Sequence, residues 1–144
     1  HTLYCIGNPT LKHKLNRHSV GLMLGYYLIE KLELKTKKFK KIDFVLRHNN
    51  DYSFANIFLI SELYDLNNKI QIDTLEFKLA DPNGKWLGDK KISVVEHKLP
   101  YKTDFILNDS EAFKLKVRTS MRLNNEINEI ENLEGVLNFG LLIE

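Results

Sequence analysis

Apolar residues recur along this chain in short runs that turn-forming and charged residues separate. Runs of this length, continuous or alternating, are typical of β-strands. Strands are therefore predicted at 3–6, 43–48, 53–60, 92–96, 112–117 and 136–143. The stretch His48-Asn49-Asn50-Asp51 favours a turn, so the second and third of these strands are predicted to form a hairpin.

Three other segments have apolar residues three or four positions apart, which is the spacing of an amphipathic helix. Helices are therefore predicted at 19–34, 67–79 and 124–133. Ser19 is a favourable N-cap for the first of them. In the second, the alternation Ile70-Gln71-Ile72 also fits a strand, and this alternative stays open. The order β-α-β-β-α-β-β-α-β predicts one α/β domain over residues 1–144, a sandwich with a mixed β-sheet flanked by helices.

Composition narrows the classes of protein to consider. Hydrophobic residues make up 43% of the 144 residues, which is enough for a core, and the net charge is only +2. A single cysteine, Cys5, excludes an internal disulfide and gives no metal-ligand spacing. No apolar run approaches the ~20 residues of a membrane span. We therefore expect no metal, no cofactor and no membrane span.

The segment from Ile6 to Gly21 carries a family resemblance. Gly7-Asn8-Pro9 ends a predicted strand, and Arg17-His18 with Gly21 precedes an amphipathic segment. This pattern resembles the opening of the peptidyl-tRNA hydrolase family, bacterial and mitochondrial type, in which an asparagine and a histidine have this same separation. The resemblance implies a peptidyl-tRNA hydrolase-like domain whose C-terminal lid segment is absent from this sequence.

Later segments follow the family's order with altered residues. Asp65 replaces an asparagine of the family, and His97 replaces an aspartate. Asn125 matches a second asparagine, and a shift of one residue would instead match Asn124. The family's glycine-rich loop is replaced here by bulky residues, among them Arg118 and Arg122. The resemblance therefore implies a divergent member whose active site has degenerated.

Ester hydrolysis by this family implies roles for the matched residues. His18 would act as the base, Asn8 would position the substrate, and Asp65 and Asn125 would complete a degenerate site. The retained residues Asn8, His18 and Asn125 also have plainer interpretations. Asn8 and Pro9 are common in turns, His18 suits the start of a helix, and Asn124-Asn125 suits a helix cap.

The basic residues suggest contact with nucleic-acid phosphates, and a solvated surface is the alternative. The predicted RNA-binding residues are Lys12, Lys14, Arg17, Lys37, Lys38, Lys40, Arg118 and Arg122. The function that the resemblance favours is a pseudoenzyme that binds tRNA, rRNA or a ribonucleoprotein, such as a mitochondrial ribosome component. One alternative is an active peptidyl-tRNA hydrolase, and another is an interaction subunit that does not contact RNA.

Overall fold

In the computed structural model, the described residues are 2–7, 21–30, 39–65, 68–106, 112–124 and 126–143. All the regular elements within these ranges are β-strands. They are β1 (Thr2–Gly7), β2 (Met23–Glu30), β3 (Phe39–His48), β4 (Asn56–Asp65), β5 (Asn68–Lys78), β6 (Asp89–Lys91), β7 (Val94–Ile106), β8 (Ala112–Thr119) and β9 (Val136–Ile143). No helix long and apolar enough to cross a membrane occurs in these ranges.

The strands form two antiparallel sheets. One has five strands in the order β1-β9-β3-β7-β6, and the other has four in the order β2-β8-β4-β5. The prediction of an α/β fold with a mixed sheet and flanking helices is therefore wrong. The described chain is all-β, and it forms a sandwich in which the inner faces of the two sheets share one hydrophobic core.

Two of the predicted helices are strands. The first contains β2, in which aromatic and aliphatic residues surround Gly25, and a glycine inside a helix costs ~1 kcal/mol. The second is β5, where Leu75 and Phe77 face the core while Thr74 and Glu76 are exposed. That alternation has a period of two, so the strand alternative was the correct one there.

The predicted third helix and the hairpin are also wrong. Residues 126–135 contain bends and turns without helix, and Asn128 and Asn132 within them have low helix propensity. β3 and β4 lie in different sheets, so the turn at 48–51 carries the chain across the sandwich. The predicted strand at 136–143 is confirmed with its bounds.

Aromatic rings join the two sheets at the centre of the molecule. Phe44 on β3 is fully buried, stacks on Tyr101 of β7 at 4.6 Å between centroids, and meets Phe77 of the opposite sheet edge-on at 6.3 Å. The hydroxyl of Tyr27 donates to the backbone oxygen of Phe139 at 3.4 Å, again from one sheet to the other. This core fixes the outer surfaces described next.

Candidate functional site

A groove lies where the start of β4 meets the chain that follows β8. Ile57 and Leu59 of β4 are fully buried, so the alternation of the strand turns Asn56 and Phe58 to the outer face, where both are half-buried. Phe54, just before the strand, extends the same wall. The first wall of the groove is therefore two aromatic rings with a carboxamide between them.

The second wall is formed by residues 120–124, which run beside β4. The Ser120 amide donates to the Phe58 carbonyl at 2.8 Å, and the Phe58 amide donates to the sulfur of Met121 at 3.2 Å. Met121 is buried and anchors this wall in the core. Arg122, Leu123 and Asn124 are exposed, and the Leu123 side chain is 56% accessible. The groove between the walls has a volume of about 490 Å³.

Glu129 ties the second wall to the sheet. Its carboxylate accepts hydrogen bonds from Arg118 Nη1 at 2.8 Å and from the Ser120 hydroxyl at 2.9 Å. Arg122 Nη2 lies 3.5 Å from the same carboxylate. One carboxylate with only 9% of its side chain exposed thus faces two guanidinium groups. Charged hydrogen bonds at this degree of burial hold residues 120–124 in place.

The lining of the groove suits an extended peptide. Asn56 and Asn124 offer both donors and acceptors for a peptide backbone, and the phenyl rings offer apolar contact. Asn56 donates to Glu76 at 3.0 Å, and its amide oxygen has no donor among the described residues. Arg122, whose Nη2 lies 3.5 Å from the Glu129 carboxylate, adds a guanidinium to the lining. This combination supports binding, with apolar anchors and a few polar groups that set orientation.

A second polar cluster is buried beneath the loop that joins β5 to β6. His48 Nε2 and His97 Nε2 are 2.8 Å apart, and Trp86 lies edge-on to His48 at 4.4 Å. His48 Nδ1 contacts the backbone oxygen of Asn49 at 2.8 Å, and since that oxygen only accepts, Nδ1 carries the proton. His48 Nε2 is then an acceptor, so His97 Nε2–H is the donor between the rings.

Burial keeps this imidazole pair neutral. It lowers the pKa of His48 against the raising effect of the Asn49 carbonyl. It lowers the pKa of His97 to about 4, with a further lowering by His48 and an opposing effect of Asp89. The two side chains are 0% and 4% exposed, so a substrate has no access to them. The pair is a structural element of the core, and no group of three or more metal-ligating side chains occurs in the described part of the chain.

Most of the predicted site residues lie outside the described ranges. These are Asn8, His18 and Asn125 of the predicted catalytic set, and Lys12, Lys14, Arg17, Lys37 and Lys38 of the basic set. Asp65 ends β4, at the far end of that strand from the groove. Lys40 lies on β3. The grouping of these residues stays a prediction.

The structure brings together two residues of the basic set, Arg118 and Arg122, on Glu129. Sequence reasoning missed the lining residues Phe54, Asn56 and Phe58. The sequence gives little local signal for them, because Phe58 lies within the continuous apolar run 57–60. Nothing local links that position to residues 120–124.

Comparison with known proteins gives matches in one family. A family model described as GldH lipoprotein matches residues 30–143. The gliding motility lipoprotein GldH homolog of Christiangramia forsetii is 39% identical over 99 residues, and the gliding motility lipoprotein GldH of Flavobacterium johnsoniae is 36% identical over 99 residues. Each alignment covers 69% of this chain and 61% of the relative. No solved structure matches.

These matches overturn the resemblance to peptidyl-tRNA hydrolases. The pseudoenzyme function, the active-hydrolase alternative, the tRNA, rRNA or ribonucleoprotein partner and the mitochondrial or ribosomal setting are wrong with it, because the relatives are bacterial gliding motility lipoproteins. The motif that carried the resemblance, from Ile6 to Gly21, lies before the matched residues. Glycine, asparagine and proline are also what any strand-ending turn favours, so such strings arise without kinship.

Proposed function

The chain belongs to the GldH lipoprotein family, and from this premise we propose that it is a protein-binding domain of a gliding motility lipoprotein in the bacterial cell envelope. The chain spans 61% of the length of the relatives it matches, and the proposal concerns the domain that this chain forms. Its task is to hold a segment of another component of the gliding apparatus.

The groove between β4 and residues 120–124 is the observation that carries the proposal. Its walls are fixed by backbone hydrogen bonds and by Glu129, so a bound segment meets a surface that is already ordered. Phe54 and Phe58 provide anchors of the kind that dominate binding energy at interfaces. The carboxamides of Asn56 and Asn124 can pair with the partner's backbone whatever its side chains are.

Site-specific photocrosslinking in the full-length protein, in the gliding bacterium that encodes it, tests this proposal. A photoreactive amino acid at Leu123, which is exposed at the groove, is expected to join the protein to a discrete partner. The matched control carries the same amino acid at Lys85, in the exposed loop between β5 and β6. Adding Phe58→Ala to the Leu123 probe should remove the crosslinked band. Equal crosslinking from both positions, or none from the groove, would refute the assignment.

A further inference from the structure

The turn between β6 and β7 exposes an apolar residue in an unfavourable backbone conformation. Ile92 has a φ of 39°, and it is the only non-glycine residue with positive φ in the described part of the chain. Its side chain is 100% exposed. A β-branched residue is a poor choice there, because this region of φ favours glycine, asparagine or aspartate. Such a combination points to a role in binding rather than in folding.

Beside Ile92 lies a shallow depression of about 510 Å³ on the outer face of the five-stranded sheet. Two cations, Arg47 and Lys91, and the polar side chains of Ser93 and Asn138 line it. Glu96 is the acidic member, and its carboxylate accepts from Arg47 Nε at 2.6 Å and lies 3.9 Å from Lys91 Nζ. The Nη atoms of Arg47 have no acceptor among the described residues, so the end of the guanidinium remains available to an anion.

We propose that this tip docks on an anionic phospholipid surface, with Ile92 inserted among the lipids and a headgroup phosphate in the depression at Arg47 and Lys91. The arrangement of an apolar residue next to exposed Lys90 and Lys91 matches a surface that is apolar beneath negatively charged headgroups. A phosphate has the geometry that a guanidinium fork binds best. A protein partner would instead need a pocket that combines an apolar cavity for Ile92 with acidic residues around it.

The expected contact is weak by itself. Arg47, Lys90 and Lys91 are offset by Asp89 and Glu96, so the local excess is small, and a single isoleucine inserts. Weak membrane contacts become effective in a protein that is already attached by another signal, because attachment raises the local concentration. The inference therefore rests on the proposed lipoprotein function, and it gives the domain a fixed orientation on the membrane.

Sedimentation of the 144-residue chain with vesicles at about 10 mM lipid, a concentration at which a weak partition can be measured, tests the proposal. Binding is expected to vesicles of phosphatidylcholine containing phosphatidylglycerol, and to fall with added salt or with phosphatidylcholine alone. Ile92→Asn should lower the partition coefficient about tenfold. It should also keep the fold, because asparagine tolerates positive φ. Ile127→Asn is the matched control, since Ile127 is also exposed (88%) but lies on another segment, and it should bind like the parent chain.

Competition with inorganic phosphate and with chloride, as two further arms of the experiment, separates a lipid headgroup from free phosphate as the source of the anion. Compared with chloride at the same ionic strength, inorganic phosphate should reduce vesicle binding only in part, because it can occupy the depression but cannot replace the insertion of Ile92 among the lipids. Complete displacement by phosphate, equal losses from the two isoleucine variants, or no sedimentation with anionic vesicles would each overturn the proposal. Neither arm involves the groove, so groove crosslinking that persists while vesicle binding fails would refute this inference and leave the proposed function standing.

Discussion

His48 and His97 lie buried side by side with one hydrogen-bond arrangement that satisfies both rings. In that arrangement the Asn49 carbonyl and His48 Nε2 each accept one ring proton. The folded protein favours the neutral rings, and the pKa of His97 is lowered to about 4 from an unfolded value of 6.5. The unfolded chain therefore binds more protons between these values, so stability is complete above about pH 6.5 and falls as the pH drops towards 4.

Urea denaturation between pH 8 and pH 4 measures this effect. We expect a loss on the order of 2–3 kcal/mol from the pair. The comparison variant is His97→Gln, whose amide N–H can still donate to His48 but does not titrate. The difference in unfolding free energy between parent and variant should narrow as the pH falls. A difference that stays constant over the whole range would show that the pair does not sense pH.

Gly135 shows where the absence of a side chain is essential. It has a φ of 90°, and an added Cβ would lie 2.4 Å from the backbone nitrogen of Tyr52. Gly84 also has positive φ (83°), but an added Cβ would meet nothing within 4 Å there. Gly84→Ala is expected to cost about 1 kcal/mol from backbone strain alone, and Gly135→Ala clearly more because the backbone must also shift. Thermal unfolding of the two variants checks this. Equal losses of stability would mean that the backbone at Gly135 shifts to relieve the clash at no further cost.

At the scale of elements, residues 120–124 and 126–135 depend on Glu129 for their position. Glu129→Gln removes the negative charge that faces Arg118 and Arg122, and leaves two guanidinium groups close together. We expect a loss of about 1–3 kcal/mol in the free energy of unfolding. Glu131→Gln, at an exposed position in the same segment, should change stability by less than about 0.5 kcal/mol. Denaturant unfolding curves give the stability loss of each variant. A loss confined to Glu129→Gln would show specific ion pairing, and similar losses in both would show a general effect of charge.

Strands with clear boundaries were predictable from the sequence, and the fold class was not. The run 136–143 matches β9 because Gly135 and the apolar stretch mark it locally. Met23–Glu30 has residues at helical spacing whose true partners lie on β8, far along the chain, and pairing with them decides the conformation. The groove could not be predicted from the sequence either, because it forms only where residues 54–58 pack beside residues 120–124.

At the scale of the molecule, the sandwich uses opposite faces of one sheet for different purposes. The inner face of β4 contributes Ile57 and Leu59 to the core that joins the sheets, while Phe58 between them lines the groove and is only partly buried against the core. On the other side of the core, Phe44 contacts Tyr101, Phe139 and, from the opposite sheet, Phe77. Stability and binding should therefore be separable by changing one phenylalanine at a time.

Phe44→Ala and Phe58→Ala form the pair that tests this separation. Phe44 is 0% exposed at the junction of the sheets, so its removal leaves a cavity and should cost about 3–5 kcal/mol. Phe58 is half-buried and packs against the core only in part, so its removal should cost less, about 1–2 kcal/mol, while abolishing crosslinking from position 123. The unfolding free energy and the crosslinking yield of both variants show whether stability and binding are separable. If Phe58→Ala lost as much stability as Phe44→Ala, its effect on crosslinking would reflect unfolding, and the groove would have no demonstrated role of its own.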